Sequence, residues 1–378
     1  MVATIGDPVS RPASQRASSD STVTGARPWG AAVAVTGAAS GLGAVLAERL
    51  VRGGCRVVGV DLVAGALPGV EWRQADVRDP GLASLLDDVD SVVHLAVATT
   101  PDTDPQQRRD LNVRGTQTVV TASAAAHVRH LVLVTSAAVF GASSDNPISL
   151  DDEAPLRAVP EGLVGDLLEI EGLAERSREL RPAMRVSVVR PATLVGAGAD
   201  SLVTRHFSAP RLLALREVEM RWQFVHADDA AAAIDLVLQG GVPHDVVTVA
   251  CEGWLTQADV EGVSGLRRLE LPASMAFATA ERLHRAGLTP TPSSELAFVV
   301  YPWVVSSARL RAAGWTPAYD NVTALGALLA DVTGTALVGR RLGRANLGIA
   351  GAGAAGATVA AVLGTAAFVR RARRSRGM

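Results

Sequence analysis

Short runs rich in β-branched residues alternate with amphipathic stretches over the first half of the chain. The runs occupy residues 31–36, 56–61, 91–96, 130–135 and 185–190. Between the first two runs, leucine and valine recur at the spacing of one helix face before a glycine pair, at Leu42, Val45, Leu46 and Leu50 and then Gly53 and Gly54. This strand–helix–strand rhythm predicts an α/β fold with a doubly wound parallel sheet.

The pattern predicts four parts along the chain. Residues 1–28 are rich in Ser, Thr, Ala, Pro and Arg, and no apolar run there is long enough for a signal-peptide core, which predicts a disordered leader. Residues 29–190 carry the strand–helix rhythm of a cofactor-binding domain. Residues 191–335 are less regular and punctuated by proline, which predicts a smaller substrate-binding lobe. Residues 336–378 form a tail.

The tail contains a predicted C-terminal apolar helix. Residues 347–369 are 23 uncharged residues between arginine clusters, long enough to cross a bilayer, and small residues fall at every fourth position, as in helices that pair within lipid. A loose attachment to anionic lipid through the arginines is the alternative. A single span from a cytoplasmic domain would send the last arginines outward, against the positive-inside tendency.

Composition narrows the choice of partners and compartment. A formal charge of −2 over 378 residues gives no reason to expect nucleic acid as a partner. The two cysteines, Cys55 and Cys251, are too few for a disulfide framework or a zinc cluster, which favours the cytoplasm and two small buried side chains. The chain has no lysine, so all 36 basic residues are arginine.

A glycine-rich turn follows the first predicted strand, where residues 36–43 read TGAASGLG. Gly37, Gly41 and Gly43 would let the backbone approach a pyrophosphate at the start of a helix, as in Rossmann-type dinucleotide sites. Leu42 lies within the same turn. Ser40 is predicted either to donate to a phosphate or to cap the helix, and capping is the favoured role.

Asp61 ends the second predicted strand, 18 residues after Gly43. A carboxylate at this place accepts hydrogen bonds from the adenosine ribose hydroxyls and repels a 2′-phosphate, so the sequence predicts NAD rather than NADP. A solvated carboxylate at a strand end is the alternative.

Further segments, in order, resemble the NAD-dependent epimerase/dehydratase family, the extended branch of the short-chain dehydrogenases/reductases. The resemblance covers roughly residues 31–330, and its segments are DV at 76–77, HLAV at 94–97, NVRGT at 112–116, LVTSAAVFG at 133–141, VRP at 189–191 and WQFVHADD at 222–229. One departure is the glycine turn, which reads TGxxxGxG where extended members usually show TGxxGxxG. The resemblance implies a Rossmann domain with a substrate-binding lobe.

The resemblance also assigns residues to the cofactor. Asp76 and Val77 match the pair that holds the adenine in this family. Leu95, Ala96 and Val97 match the turn under the nicotinamide-side ribose. These assignments extend the predicted NAD site beyond the glycine turn.

The catalytic residues of the family are matched only in part. Ser136 matches the serine that polarises the substrate carbonyl, although a strand-end serine bonded to the backbone is the alternative. The family's tyrosine and lysine, four residues apart, have no counterpart, because the chain has no lysine and its two tyrosines are Tyr301 and Tyr319. Loss of a positioned acid/base raises a barrier by roughly 3 to 5.5 kcal/mol.

Two alignments of the helix that should carry this pair remain open. One places Leu163 and Leu167 at the tyrosine and lysine positions, and the other places Gly162 and Asp166 there. Carboxylates on the same helix are candidate substitutes for the base, but a solvated acidic face explains them more simply; they are Asp166, Glu169 and Glu171.

Two functions follow from this sequence. The first is an NAD-dependent epimerase, dehydratase or reductase acting on a small molecule of the nucleotide-sugar kind. The second is a catalytically degenerate NAD(H)-binding sensor or scaffold attached to the membrane. A paired helix in this fold and the small-residue stripe of the tail both permit a homodimer. The histidines show no spacing that suggests a metal site.

Overall fold

The computed structural model describes residues 32–342, with the side chains of 333–342 left out. The predicted leader and the predicted apolar helix at 347–369 lie outside the described residues. Within the described part, no helix combines the length and the apolar character needed to cross a bilayer.

The first half of the described chain alternates strands with helices. The strands are β1 (Ala32–Thr36), β2 (Arg56–Asp61), β3 (Val70–Gln74), β4 (Ser91–His94), β5 (His130–Val134) and β6 (Arg185–Pro191). The helices are α1 (Gly41–Arg52), α2 (Pro105–Arg109), α3 (Gly115–Ala125) and α4 (Gly162–Leu180). A π-helical turn (Asp110–Arg114) joins α2 to α3, and 3₁₀ turns occur at Pro80–Leu85 and Ala137–Phe140.

Shorter strands dominate the second half. They are β7 (Thr193–Val195), β8 (Leu212–Leu215), β9 (Arg221–Trp222), β10 (Phe224–His226), β11 (Val246–Val249), β12 (Leu255–Thr256) and β13 (Arg268–Leu271). The helices are α5 (Leu202–His206), α6 (Ala227–Leu238), α7 (Gln257–Ser264), α8 (Ala273–Arg285), α9 (Ala297–Val300), α10 (Ala308–Ala312) and α11 (Asn321–Leu342). A 3₁₀ turn at Ser293–Leu296 precedes α9.

The central sheet has seven strands in the order β11-β6-β5-β4-β1-β2-β3, and every pairing in it is parallel. The predicted doubly wound parallel sheet is therefore confirmed. The strand order runs in opposite directions on the two sides of β1, which creates a crevice beyond the carboxyl ends of β1 and β4.

Alternate residues of the strands pack into two apolar layers, one on each face of the sheet. Val33 and Val35 join one layer, and Ala34 joins the other. Helix α1 buries Leu46 and Leu50 in the first layer and packs against α6, where Arg49 forms a 3.1 Å ion pair with a carboxylate of α6. The chain after β6 therefore contributes to this sheet as well, through β11 and α6.

Burial of histidine side chains makes the stability of this fold depend on pH. Desolvation lowers the pKa of His94 and His130 to about 4 and that of His206 to about 3. A histidine in the unfolded chain titrates at about pH 6.5. The stability contributed by these neutral side chains is therefore complete above about pH 6.5 and declines as the pH falls toward 4, because the unfolded state then binds more protons.

We expect the free energy of unfolding to fall by about 2 kcal/mol per buried histidine between pH 7 and pH 5, as urea denaturation at both values would show. His206→Phe should remove about one third of this loss. Both ring nitrogens of His206 lack hydrogen-bond partners in the described part of the chain, and the ring stacks 5.2 Å from Trp222, so phenylalanine fits its surroundings. The exposed His127 offers a control, His127→Gln, and an unchanged pH dependence in His206→Phe would contradict the expectation.

Candidate functional site

A cleft of about 490 Å³ opens at the carboxyl edge of the sheet. Its walls come from the segments that follow β1 to β6, from α4, and from residues of the second half such as Phe298 and Trp303. The structure brings together in this cleft Ser136 and every residue that the sequence assigned to the cofactor, namely Gly37, Ser40, Gly41, Leu42, Gly43, Asp61, Asp76, Val77, Leu95, Ala96 and Val97.

The glycines of the turn after β1 are required by close approaches and by backbone angles. Gly37 has φ +71°, and a Cβ on it would lie 2.9 Å from the backbone nitrogen of Ala96. A Cβ on Gly43 would lie 2.0 Å from the carbonyl oxygen of Gly37. Gly41 has φ +56° with open space where a Cβ would stand, so this wall of the cleft is bare backbone at the start of a helix.

Ser40 corrects one prediction. It occupies the position before the first residue of α1 and has the extended backbone of an N-cap, but its side chain makes no capping hydrogen bond. The favoured role of a side-chain cap is therefore wrong, and Ser40 lines the cleft.

Asp61 lies at the end of β2 with its carboxylate held by backbone amides. Oδ2 accepts a 3.0 Å hydrogen bond from the amide of Ala39, and Oδ1 accepts a 2.8 Å bond from the amide of Leu62. The side chain is half-buried and lines the cleft. The bond to Ala39 ties the strand end to the glycine turn, so these two parts of the candidate cofactor site are positioned together.

The wall beside β4 is held by buried polar groups. The hydroxyl of Thr36 accepts from the amides of Leu95 and Ala96 at 3.1 and 3.3 Å. His94 lies 2.8 Å from that hydroxyl through Nδ1 and 3.0 Å from the hydroxyl of Thr116 through Nε2. The ring of His94 is thus buried between two hydroxyl groups. The network fixes the turn after β4 against β1.

The wall beyond β3 is held by an ion pair. Asp76 accepts from the amide of Arg78 and pairs with its guanidinium at 2.6 Å. The guanidinium holds the pKa of the Asp76 carboxyl below its ordinary value. Val77 next to it is buried, which gives this end of the cleft one charged and one apolar neighbour.

Ser136 follows β5, and its hydroxyl faces two backbone groups. Oγ accepts a 3.1 Å bond from the amide of Ala138 and donates a long bond of 3.4 Å to the carbonyl of Pro191. The side chain also lines the cleft. Because the donated bond is long, a substrate oxygen in the cleft could compete for this proton.

Helix α4 presents an apolar face to the cleft. Leu163 and Leu167 line it, whereas Asp166 is turned away and is only 2% exposed. Arg108 pairs with Asp166 at 2.8 Å, and the amide of Asn112 donates to it at 3.3 Å. The geometry therefore favours the alignment that places leucines at the tyrosine and lysine positions.

The acidic residues of α4 are not the solvated face that the sequence suggested. Asp166 and Glu171 are both buried, because α4 packs between the sheet and the α2–α3 region. Glu171 forms a two-bond ion pair with Arg190, at 2.9 and 2.8 Å. Glu169 is the exposed member and pairs with Arg109 at 2.6 Å. All three carboxylates thus have an arginine partner, which leaves none of them free to act as a base.

Sequence reasoning missed two acidic residues of the cleft, Asp200 and Glu295. Glu295 lines it from the 3₁₀ turn before α9 and is 8% exposed. Its Oε1 accepts a 2.6 Å hydrogen bond from the amide of Leu163. No motif surrounds Glu295 in the sequence, and its partner lies 132 residues away, so only the fold shows this contact.

The described lining of the cleft contains carboxylates but no arginine. The nearby guanidinium of Arg205 pairs with Asp200 at 2.6 Å and with Asp102 at 2.8 Å. Apolar side chains make up most of the rest, and they include Leu163, Leu167, Phe298 and Trp303. The cleft therefore combines a polar glycine-turn end with an apolar interior.

The sheet order, the glycine turn and the crevice at the strand ends define a Rossmann-type α/β protein. The model of the NAD-dependent epimerase/dehydratase family matches residues 33–250, and the chain belongs to that family. The resemblance noted in the sequence is thereby confirmed.

Some proteins are similar to this chain in sequence, and others are similar in fold. An uncharacterized protein of Mycobacterium tuberculosis strain H37Rv is 28% identical over 308 residues, which are 77% of this chain and 81% of that protein. The UDP-glucose 4-epimerase of Stenotrophomonas maltophila with bound NAD and formylated UDP-arabinopyranose has a TM-score of 0.63 at 19% identity, covering 82% of this chain and all of that one. The UDP-glucuronic acid 4-epimerase of Bacillus cereus in complex with NAD has a TM-score of 0.61 at 16% identity, covering 80% and 99%.

Proposed function

We propose that the chain binds NAD(H) in this cleft and exchanges hydride with the hydroxyl-bearing carbon of a nucleotide-sugar-like substrate. The observation that carries the proposal is that the glycine turn, Asp61 and Ser136 line one cleft. Residues from the second half of the chain line the same cleft. Family membership supports the same chemistry.

The residues present fit this cofactor. Bare backbone at Gly41 leaves room for a pyrophosphate at the N-terminus of α1, and the carboxylate of Asp61 can accept from ribose hydroxyls. Val77 offers an apolar contact for the adenine, and Leu95 lines the same cleft as Ser136. Bound NAD(H) supplies a hydride acceptor or donor at its nicotinamide ring.

The substrate class is proposed from the structural relatives, one of which holds a UDP sugar. A diphosphate is usually bound by arginine or lysine, and the described lining has neither. We therefore infer that the sugar lies beside Ser136 while the diphosphate is bound by groups outside that lining. Ser136 would donate a hydrogen bond to the substrate oxygen in place of its long bond to the carbonyl of Pro191.

A second candidate is an NAD(H)-binding sensor or scaffold without turnover. The specific observation in its favour is that the cleft is lined by Leu163 and Leu167, which one of the two alignments places at the positions of the family's tyrosine and lysine. Neither leucine can exchange a proton. Nucleotide binding without hydride transfer would distinguish this function from the first.

Two measurements in sequence test the proposal. Titration with NADH, followed by energy transfer from tryptophan, uses Trp303 in the wall of the cleft as a natural donor and should saturate. Absorbance of the reduced cofactor should then report hydride transfer to NAD⁺ from a nucleotide-sugar panel of UDP-glucose, UDP-galactose and UDP-glucuronate. Unchanged turnover in Ser136→Ala would contradict the role given to Ser136, and the absence of saturable NADH binding would contradict the proposal as a whole.

Replacement of Asp61 by alanine should weaken NADH binding about 10- to 150-fold, since a hydrogen bond to a charged group contributes about 1.5 to 3 kcal/mol. The preference for NADH over NADPH should fall at the same time, because the carboxylate no longer repels a 2′-phosphate. Fluorescence titration with both nucleotides measures this. Asp87→Ala, at an exposed position outside the cleft, is the control, and an undiminished preference for NADH in Asp61→Ala would count against the assignment.

A further inference from the structure

Glu295 is placed unlike the other acidic residues of the cleft. Asp76 and Asp200 pair with arginines, and Asp61 is half-exposed with its oxygens bonded to amides. Glu295 is buried and has no ion pair within the described part of the chain. One oxygen accepts from the amide of Leu163, which leaves the carboxyl group free to hold or release a proton.

The start of α4 is shaped to admit this carboxyl group. Gly162 is the first residue of the helix and has φ +59°. A Cβ on Gly162 would stand 2.0 Å from Oε1 of Glu295 and 2.8 Å from the ring of Pro292. Only glycine leaves this space. The carboxyl group of Glu295 therefore reaches the backbone amide of Leu163, the residue that one of the two alignments places at the tyrosine position.

The charges around Glu295 oppose one another. Burial, with a smaller contribution from the carboxylate of Asp166, raises the pKa of Glu295, while the amides at the start of α4 and the guanidinium of Arg108 lower it, and the balance is a pKa of about 7. Arg108 and Asp166 pair with each other at 2.8 Å, so their combined field is small. The adjacent Glu161 accepts a 2.9 Å bond from the hydroxyl of Ser294 and does not bond to Glu295.

We propose that Glu295 is the catalytic acid/base that replaces the missing tyrosine in this cleft. The inference rests on the hydride transfer proposed above. In the oxidising direction, the hydrogen on the substrate's carbinol carbon leaves with both bonding electrons to NAD⁺, the hydroxyl proton passes to the Glu295 carboxylate, and a C=O bond forms. In the reducing direction the hydride and the proton return to the same two atoms.

A smaller cavity connects with the same carboxyl group. Glu295, Val164 and Phe298 line both the cleft and this cavity, which has a volume of about 60 Å³ and is also lined by Arg157. This volume has room for water. We infer that it is the route by which the proton on Glu295 exchanges with solvent.

The test compares the wild-type chain with Glu295→Gln, since glutamine can still accept from the amide of Leu163 but cannot take a proton. With the nucleotide-sugar panel, substrate oxidation by the wild type should rise with pH through a midpoint near 7, because the unprotonated carboxylate is the base. Glu295→Gln should lower this rate by about 10²- to 10⁴-fold and remove the pH step, with NADH binding unchanged.

An infrared pH titration supplies a readout apart from turnover. The carbonyl band of a protonated carboxyl group should disappear from the wild-type spectrum around pH 7 and be missing from Glu295→Gln. Glu169→Gln is the matched control, because it removes an exposed carboxylate of α4 outside the cleft and should leave rate and band unchanged.

The outcomes separate the two proposals. An active wild type together with an equally active Glu295→Gln overturns the role of Glu295 alone, as does a wild type without the infrared band. A wild type that binds NADH but transfers no hydride to or from any panel member overturns the proposed turnover, and the role of Glu295 with it. The predicted pattern requires loss of both rate and band in Glu295→Gln.

A second variant displaces the carboxyl without removing it. Gly162→Ala should lower the rate because its Cβ occupies the space of Oε1. Gly265→Ala carries the same kind of positive-φ strain, at φ +69°, with open space around the new methyl group, so it should keep full activity. Equal rates in these two variants would contradict the geometric argument.

Discussion

Replacing Gly43 by alanine should weaken NADH binding by about 5- to 150-fold, the equivalent of about 1 to 3 kcal/mol of overpacking strain. The new Cβ would stand 2.0 Å from the carbonyl oxygen of Gly37 and 2.7 Å from its carbonyl carbon. Both atoms are backbone and cannot rotate away. The turn must therefore move, and with it the backbone that would hold the pyrophosphate at the start of α1. Fluorescence titration with NADH measures the change.

Gly262→Ala is the matched control for this variant. Gly262 lies within helix α7 with open space around its α-carbon. Alanine there should leave NADH affinity unchanged and should stabilise the chain slightly, because alanine favours the helix over glycine by roughly 0.8–1.0 kcal/mol. Full NADH affinity in Gly43→Ala would show that the turn does not form the nucleotide site.

Replacing Arg190 by methionine should reduce the free energy of unfolding by about 3 to 5 kcal/mol. The guanidinium makes two bonds to Glu171, and both side chains are 7% exposed. Arg190 also stacks 5.0 Å above the ring of Phe140, and Thr135 donates a 2.7 Å bond to Glu171. Loss of the arginine leaves a buried carboxylate without its cation. Urea denaturation at neutral pH measures the effect.

A double variant separates loss of the pair from loss of a single charge. Arg190→Met combined with Glu171→Leu should recover much of the stability, since neither charge of this pair then remains buried without its partner. Arg52→Met provides the exposed comparison, because its ion pair with Glu48 on α1 is well solvated and should contribute about 0.3–0.5 kcal/mol. A single Arg190→Met variant as stable as Arg52→Met would contradict the buried-pair interpretation.

The sequence predicted the parallel sheet because buried strands leave a strong apolar signal. The bounds of β2 agree with the prediction, while β4 ends at His94, two residues early, where the chain turns outward to form the cleft wall. Strand β3 was not predicted, because it lies at the sheet edge and its residues are only partly buried. Strand β11 was also missed, since four residues in an irregular region give little periodicity.

The cofactor side of the cleft could be predicted because its residues are close in sequence to strand ends and follow a known spacing. Burial of α4 could not, because Asp166 and Glu171 look like surface residues until their partners, Arg108 and Arg190, are placed beside them. The role of Glu295 could not be predicted either, since the amide that it accepts from belongs to the start of α4, far away in the sequence.

A crystal structure of the chain grown with saturating NADH is the most direct test of the central claim. We predict density for the dinucleotide in the cleft, with the pyrophosphate beside Gly41, the adenosine ribose hydroxyls within about 2.7–3.2 Å of the Asp61 carboxylate, and the nicotinamide between Ser136 and Glu295. A cleft without nucleotide density under these conditions, or a dinucleotide bound elsewhere on the chain, would contradict it.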